Sequence, residues 1–209
     1  MRVGGVMERA FMTGSSVLAS LEGQQYVVLR PRGDVATFYD AERAAFRSAL
    51  PAAVTSPNTG HVTLRGFEEP ARTAELKDFL ARWAGRQEPI EVEVTDVDGF
   101  APPFQILIAR LARSSSLVGA YASLTAALDG TDFRRVGELP LEDWVFHLSL
   151  IYASALTEDE WNRAHANAIR SVGGRPSELL TEAELVWYAG GVEYTEIFPF
   201  GSNELASRR

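Results

Sequence analysis

Two short strand-like runs in this chain each place a histidine two residues before a hydroxyl side chain. The first run is "HVTLRGF", with His61 and Thr63, and the second is "VFHLSLIY", with His147 and Ser149. Because side chains alternate across a β-strand, the histidine and the hydroxyl of each run share one face. Two imidazoles and two hydroxyls would therefore converge if these two faces met, opposed, in a single cleft.

Such a set of groups suits the cleavage of a phosphodiester by water. The reaction needs a base for the nucleophile, an acid for the leaving oxygen, and donors around the phosphoryl oxygens. An imidazole has an unperturbed pKa of about 6.5, so one histidine can be neutral while the other is protonated. We expect His61 and His147 to form the acid–base pair, in an order left open, and Thr63 and Ser149 to hold the phosphate.

The elements around these runs follow an order that occurs twice: strand, helix, histidine strand, helix, strand. When the spacing between the two histidines is added to the helix start near Arg72, the resulting position lies in "TEDE", where the matching helix starts. A lone strand histidine is more often a core residue, but two copies in corresponding places of a repeat are harder to obtain by chance. Predicted strands cover 24–31, 61–67, 89–100, 104–111, 144–152 and 184–200, and predicted helices cover about 36–50, 72–84, 114–128 and 157–170.

This order predicts an α+β protein with a bilobal, duplicated fold. We expect two mainly antiparallel sheets with flanking helices, and a central cleft that carries the two H-x-[ST] motifs. Residues 1–23 show no sustained period and are expected to form a flexible or partly helical lead-in. Residues 24–209 then form a single domain with lobes at about 24–99 and 103–200.

Composition limits the possible partners. The chain has 209 residues, 46% of them hydrophobic, and a formal net charge of −8. A net negative charge argues against binding along duplex DNA, which needs a broad basic face. No apolar run reaches the length of a membrane span. Cysteine is absent, which excludes thiolate chemistry and disulfides. We expect a cytoplasmic monomer that does not bind membranes.

Other motifs that carry chemistry are not found. The third histidine, His165, lies in a predicted helix outside any H-x-[ST] context, so we expect it to be a structural or a surface residue. Three scattered histidines without cysteine make a poor zinc set. No G-x-x-x-x-G-K-[ST] occurs, so a P-loop for a nucleoside triphosphate is not predicted. The sequence therefore predicts neither a metal nor a cofactor.

The paired motifs, His61-Val62-Thr63-Leu64 and His147-Leu148-Ser149-Leu150, resemble those of the two-histidine (2H) phosphoesterase superfamily. This superfamily includes the 2'-5' RNA ligase-like proteins and the cyclic nucleotide phosphodiesterases. The resemblance implies a bilobal fold, a metal-free site, and 2',3'-cyclic phosphates or related esters of nucleotides or RNA ends as substrates. It also implies a pocket role for Tyr152, which holds the position of a substrate-binding tyrosine in the second motif.

Two side chains near the motifs each have two possible orientations. Strict alternation puts Tyr152 on the face opposite His147, so it joins the pocket only if the strand ends or bends near Ile151. Arg65 shares the face of His61 and is a candidate phosphate contact, although it could equally extend to solvent. Aromatic side chains near the motifs are candidates for stacking on a base. They are Tyr26, Phe67, Trp144 and Tyr152.

Two other functions remain open from the sequence. The same cleft could serve an esterase of a different substrate, such as a cyclic sugar phosphate. The fold could also belong to a module that binds RNA ends or nucleotides with little turnover. Intact motifs favour the enzyme.

Overall fold

The structure, a computed structural model, describes residues 9–201 of the chain. Within this range the chain forms ten β-strands and five α-helices, together with one 3-10 turn at Pro70–Arg72. The strands are β1 (Gln25–Leu29), β2 (Val62–Phe67), β3 (Ile90–Phe100), β4 (Ile106–Leu111), β5 (Arg135–Val136), β6 (His147–Tyr152), β7 (Arg170–Ser171), β8 (Ser177–Leu180), β9 (Glu182–Ala189) and β10 (Val192–Pro199). The helices are α1 (Ser15–Ser20), α2 (Asp34–Ala49), α3 (Thr73–Ala84), α4 (Ser115–Leu128) and α5 (Glu158–Ala168).

Local sequence explains where the helices of the second half begin. The Ser114 side chain caps α4 by accepting a hydrogen bond from the Leu117 backbone N–H. Helix α5 begins with a capping box, in which Thr157 and Glu160 each satisfy a backbone N–H of the other. Each cap contributes about 1 kcal/mol and defines the direction in which its helix leaves the preceding strand.

All ten strands pair antiparallel, so the predicted α+β class with an antiparallel sheet is confirmed. The main path of the sheet runs β10-β9-β1-β2-β6-β4-β3-β7, and β5 and β8 pair with β2 and β3. The two expected sheets are joined into one, because β2 pairs with β6 through Val62 and Leu148. The main core, with most of the helix–strand packing, lies on the face to which these two side chains point. A smaller buried cluster on the other face contains Phe11 and Val28, and Leu18 of α1 packs against it.

The lobes differ from the contiguous halves that the sequence suggested. Strand β3 precedes the expected boundary at 99–103 but pairs with β4, while β9 and β10 extend the sheet beside β1. The physical reason is the short connection of residues 101–105, which folds β3 and β4 into a local hairpin. The edge of β1 is then left for β9. Along the main path, three strands follow β2 on one side of the β2–β6 pair and three follow β6 on the other. A duplicated chain would give this symmetry, and the duplication itself stays a prediction.

A β-bulge interrupts the first histidine strand. Thr63 pairs with Val28 of β1 and Arg65 pairs with Val27, so that Leu64 has no partner of its own on β1. A bulge shifts the alternation of side chains by one residue. Both Leu64 and Arg65 consequently lie on the buried side of β2.

The second histidine strand has a bulge at the corresponding position. Ser149 pairs with Ile108 of β4 and Ile151 pairs with Leu107, so that Leu150 is the extra residue. Leu150 and Ile151 are both fully buried. Each bulge therefore falls on the fourth residue of an H-x-[ST]-hydrophobic motif, and in β6 the side chain after the buried pair, Tyr152, returns to the motif face.

The lead-in is ordered where the structure describes it. It contains helix α1, and Phe11 is almost completely buried. Residues 1–8 of the predicted lead-in lie outside the described residues. No helix within 9–201 is long and apolar enough to cross a membrane.

Two glycine-to-alanine variants should change stability in opposite directions. A Cβ at Gly60, just before the first motif, would lie 2.8 Å from Cγ of Tyr39 and 2.9 Å from Cδ2 of Leu148. Such overpacking should lower the free energy of unfolding of Gly60→Ala by about 1–3 kcal/mol. A Cβ at Gly119, inside α4, meets nothing within 4 Å. Gly119→Ala should therefore raise it by about 0.5–1 kcal/mol.

Urea unfolding of the two variants beside the wild type measures both effects. A Gly60→Ala variant as stable as the wild type would contradict the close packing of α2 against Gly60, just before β2.

Candidate active site

The site is created where the two histidine strands meet. Val62 of β2 and Leu148 of β6 are direct partners, and both side chains are fully buried in the core. Because side chains alternate along a strand, the residues before and after each of them point to the other face of the sheet. Those flanking residues are the histidines and hydroxyls of the two motifs.

The antiparallel register brings the four side chains together. It places His61 across from Ser149 and Thr63 across from His147. The two motifs are thus neighbours on one face of a single sheet, whereas the sequence analysis expected two opposed faces across a cleft. A direct strand pair explains the difference, since it joins the lobes edge to edge.

A pocket of about 170 Å³ opens on this face beside the first motif. It contains polar groups from both motifs, from His61, Thr63 and Ser149, and its other walls are aromatic and aliphatic. His147 is not among the residues that line it, and lies next to it along the sheet. The remaining lining residues are Phe11, Met12, Leu21, Tyr26, Val28, Tyr152, Val186 and Tyr188.

Both imidazoles are oriented by a backbone carbonyl two residues earlier. Nδ1 of His147 lies 2.8 Å from the carbonyl oxygen of Val145, and Nδ1 of His61 lies 3.4 Å from that of Thr59. A carbonyl oxygen only accepts, so Nδ1 carries the hydrogen in each neutral ring. The lone pair is then on Nε2, which is the atom left for proton transfer.

Burial makes both imidazoles hard to protonate in the free protein. The ring of Phe11 packs edge-on to His61 with centroids 4.8 Å apart, and Phe100 packs similarly against His147 at 5.0 Å. Loss of hydration is the main reason that the pKa of His61 falls to about 4; the hydrogen bond to Thr59 opposes the fall, and the nearby His147 and Arg30 add to it. Burial, followed by the charge of Arg110, also lowers the pKa of His147. Both rings are therefore neutral near pH 7 without a ligand.

The N-terminal segment closes the pocket on the side of His61. Glu193 of β10 accepts hydrogen bonds from the backbone N–H groups of Phe11 (2.7 Å) and Met12 (2.9 Å). The guanidinium of Arg30 lies 3.6 Å from the centre of the Phe11 ring. This contact was not predicted, because its only signal in the sequence is an isolated apolar pair in a segment without periodicity.

The bulge at Leu150 brings Tyr152 into the pocket. With one extra residue in β6, Tyr152 points to the same face as Ser149 rather than the opposite one. Burial raises the pKa of the Tyr152 hydroxyl, and a hydrogen bond with Ser149 works against that rise. The bend that the sequence analysis required near Ile151 is therefore present, and the substrate-binding role of Tyr152 stays a prediction.

Arg65 does not reach the pocket, contrary to the expectation that it shares the face of His61. The bulge at Leu64 turns it to the buried side, where it is 1% exposed. Its guanidinium lies 3.0 Å from a carboxylate oxygen of Glu138 and 4.4 Å from the ring centre of Tyr121. Arg65 is held in these contacts, so we leave it out of the site.

Two of the four aromatic candidates for stacking line the pocket. Tyr26 and Tyr152 do, while Phe67 is buried in the core and Trp144 packs against it. Tyr188 lines the pocket as well and was not predicted. It lies in β9, which the sequence analysis assigned to the other half of the molecule.

The third histidine lies apart from the pocket, as expected. His165 stacks on Trp161 with centroids 5.2 Å apart, and its Nε2 is 3.7 Å from a carboxylate oxygen of Asp98. Among residues 9–201 no group of three or more His, Cys, Asp or Glu side chains is arranged to hold a metal ion.

Comparison with known proteins identifies the family of the chain. The family model of the 2'-5' RNA ligase superfamily matches residues 34–191, which include both motifs. The chain belongs to this superfamily of two-histidine phosphoesterases. A comparison with curated proteins finds no match.

Solved structures with the same fold are distant in sequence. TT0787 of Thermus thermophilus is 15% identical, with a TM-score of 0.63, over 85% of this chain and 98% of that one. LigT of E. coli complexed with 3'-AMP is also 15% identical, with a TM-score of 0.57 and the same coverage of both chains. Usb1 of Kluyveromyces marxianus is 13% identical, with a TM-score of 0.51, over 87% of this chain and all of the other. At these identities the likeness shows the fold alone.

The depressed histidine pKa values can be measured directly. In an NMR titration of the free protein, the ring of His61 should take up its proton near pH 4, and that of His147 below the ordinary value of 6.5. The reason is that burial disfavours the charged form of both rings. The variants His61→Gln and His147→Gln assign the two signals. Titration of both rings at or above pH 6.5 would contradict the buried setting described here.

Proposed function

We propose that the protein is a metal-independent phosphodiesterase that hydrolyses 2',3'-cyclic phosphates, or 2'-5' phosphodiesters, of nucleotides or RNA ends. The observation that carries this proposal is the pairing of Val62 with Leu148, which sets both H-x-[ST] motifs side by side on one sheet face. Membership of the phosphoesterase superfamily supports the same reaction class.

In the proposed reaction, water attacks the phosphorus while the Nε2 atom of one neutral imidazole takes a proton from the water. One P–O bond breaks, and the other histidine, protonated, gives its proton to the departing oxygen. The hydroxyls of Thr63 and Ser149 donate to the non-bridging oxygens as negative charge develops there. The products are a phosphomonoester and a free hydroxyl, and no redox step or covalent intermediate is involved.

The histidine that acts as the acid must take up its proton when the substrate binds. Both imidazoles are neutral near pH 7 in the free protein, because burial depresses the pKa of each. An anionic phosphate between them favours the imidazolium form and raises the pKa of the ring that it contacts. Anion binding is therefore coupled to proton uptake, and phosphate monoesters should bind more tightly as the pH falls from 7 toward 5.

The pocket beside the motifs supports a nucleotide as the substrate. Its walls contain the rings of Tyr26, Tyr152 and Tyr188, on which a base can stack, next to the hydroxyls that would hold the phosphate. The solved structures of LigT with the same fold include complexes with 3'-AMP and ATP. A cytoplasmic location and a monomeric state remain expectations from the sequence.

The first test uses the two histidines. His61→Ala and His147→Ala should each lower turnover of a 2',3'-cyclic nucleotide by about 10² or more, because each removes one proton-transfer group. The double variant should be little worse than either single variant, since the groups act as a unit. His165→Ala removes a histidine outside the site and serves as the matched control. If either His61→Ala or His147→Ala keeps wild-type turnover on all four 2',3'-cyclic nucleotides, the assignment of the two histidines as the acid–base pair is wrong.

The hydroxyls give a graded result in the same assay. Thr63→Ala and Ser149→Ala should each lose about 10- to 10³-fold, because each removes one donor to the phosphoryl oxygens. Thr63→Ser should recover much of the rate. If the double alanine variant is fully active, the phosphate is held by other groups.

A chelator and the product isomer test the mechanism. Activity should survive EDTA, because the two imidazoles deprotonate the water and protonate the leaving oxygen, whereas other phosphodiesterases use a metal pair to generate hydroxide and to stabilise both oxygens. The product should be one monoester isomer, since only one bridging oxygen faces the acid, and the family resemblance favours the 2'-phosphate. Loss of activity in EDTA with recovery on added divalent metal would overturn the mechanism. Tight binding of these nucleotides without turnover would instead favour the binding module, and turnover of a cyclic sugar phosphate alone would favour the other esterase.

A further inference from the structure

Another pocket, of about 420 Å³, lies between helix α2, the loop that precedes β2 and the N-terminal segment. Nearly all the residues that line it have side chains that can donate hydrogen bonds, and none of its lining residues within 9–201 is acidic. The donors are Thr13, Arg43, Arg47, Thr55, Ser56 and Asn58. A concave surface that combines hydrogen-bond donors with positive charge suits an anion.

Two arginines of α2 supply the charge. Arg43 and Arg47 lie one turn apart on the helix and therefore share one face of it. Each anchors the loop by donating to a backbone carbonyl oxygen, Arg43 to that of Pro57 at 3.1 Å and Arg47 to that of Val54. A guanidinium has five N–H groups, so these bonds fix the side chains at the pocket wall and leave donors for a ligand.

The positive charge of these arginines is only partly neutralised. Asp40 is the one carboxylate within 9–201 that pairs with either of them, and it lies 3.4 Å from Nη2 of Arg43 and 2.8 Å from Nη2 of Arg9. With Arg47, three positive charges thus meet one negative charge, in a chain whose formal net charge is −8. Nε of Arg43 is buried and has no hydrogen-bond partner in the described part of the chain.

Three hydroxyls line the same pocket. Those of Thr13, Thr55 and Ser56 make no hydrogen bond with any residue that the structure describes. The segments that carry them are held together by Asn58, whose backbone N–H donates to the carbonyl oxygen of Phe11 at 2.7 Å. The donors are therefore in place before a ligand arrives, which lowers the entropic cost of binding.

This pocket is distinct from the one at the motifs. The residues that line the two pockets do not overlap. The N-terminal segment contributes to both, because Phe11 and Met12 line the motif pocket while the next residue, Thr13, lines the other. A ligand in the second pocket thus contacts neither histidine strand.

We propose that this second pocket is an anion site that binds a phosphate group through Arg43 and Arg47, independently of the two motifs. A guanidinium matches two oxygens of a phosphate at once, and the hydroxyls can donate to the oxygens that remain. The group is free phosphate or the phosphate of a small phosphomonoester, for which the volume of the pocket is sufficient. The bound anion links α2, the loop before β2 and the N-terminal segment.

Titration of the full chain with inorganic phosphate, followed in amide NMR spectra, tests the site. The amide signals of Thr55, Ser56 and Asn58 should shift and reach saturation. In Arg47→Gln the dissociation constant from these shifts should rise about tenfold or more, because a charge-assisted contact is lost. Arg82→Gln removes an exposed arginine of α3 that does not line this pocket, and it should leave the constant unchanged.

Two further variants isolate the phosphate contact. The double variant Thr63→Ala, Ser149→Ala lacks the hydroxyls of the motifs and should bind phosphate in the second pocket as the wild type does. Ser56→Ala keeps both bonds from arginine to the loop carbonyls and should still weaken phosphate binding several-fold. If Ser56→Ala has no effect and Arg47→Gln already shifts the loop signals without phosphate, the arginine only anchors the loop, and the proposal is overturned.

A parallel titration with glycerol phosphate distinguishes the two sources of the group, because tighter binding of the ester identifies a phosphomonoester and tighter binding of inorganic phosphate identifies the free ion. Three other results would overturn the site. They are phosphate-induced shifts confined to the motif residues, an unchanged dissociation constant in Arg47→Gln, and loss of binding at the second pocket in the double variant of the motifs. No turnover enters these measurements, so their outcome does not depend on the proposed hydrolysis.

Discussion

Val62 and Leu148 face each other across two antiparallel strands, and both side chains are fully buried. Burial of each contributes roughly 1.5–3 kcal/mol, which keeps the two strands in register. A slip of one residue would turn every motif side chain to the other face. This single pair therefore both joins the halves of the sheet and brings two imidazoles and two hydroxyls together, which neither half could do alone.

The two bulges adapt that arrangement to a pocket. Each inserts one residue after the hydroxyl, at Leu64 and at Leu150, so that two consecutive side chains point into the core. In β6 the next residue, Tyr152, returns to the face of the site and forms a wall of the pocket. In β2 the same shift buries Arg65. One backbone feature thus adds one expected side chain to the site and removes another.

Much of the fold could be predicted from the sequence, because helical periodicity, serine and threonine caps, and alternating strands are local signals. The four motif side chains were selected in the same way; the structure places them on one sheet face, and their catalytic roles stay a prediction. Two features depended on pairing between distant residues and left no local pattern: the exchange of β3 and β9 between the sheet halves, and the bulges that decide where Tyr152 and Arg65 point. Phe11 was missed because a single buried ring in an aperiodic segment resembles any loop residue.

A crystal structure with a bound 2'-nucleoside monophosphate tests the central claim, that the two motifs form one phosphate site, most directly. The phosphate should lie between the Nε2 atoms of His61 and His147, at about 2.6–3.2 Å from each, and accept hydrogen bonds from Thr63 and Ser149. Both Nδ1 atoms should keep their backbone carbonyl partners. A phosphate bound at only one motif, or away from both, would contradict the account.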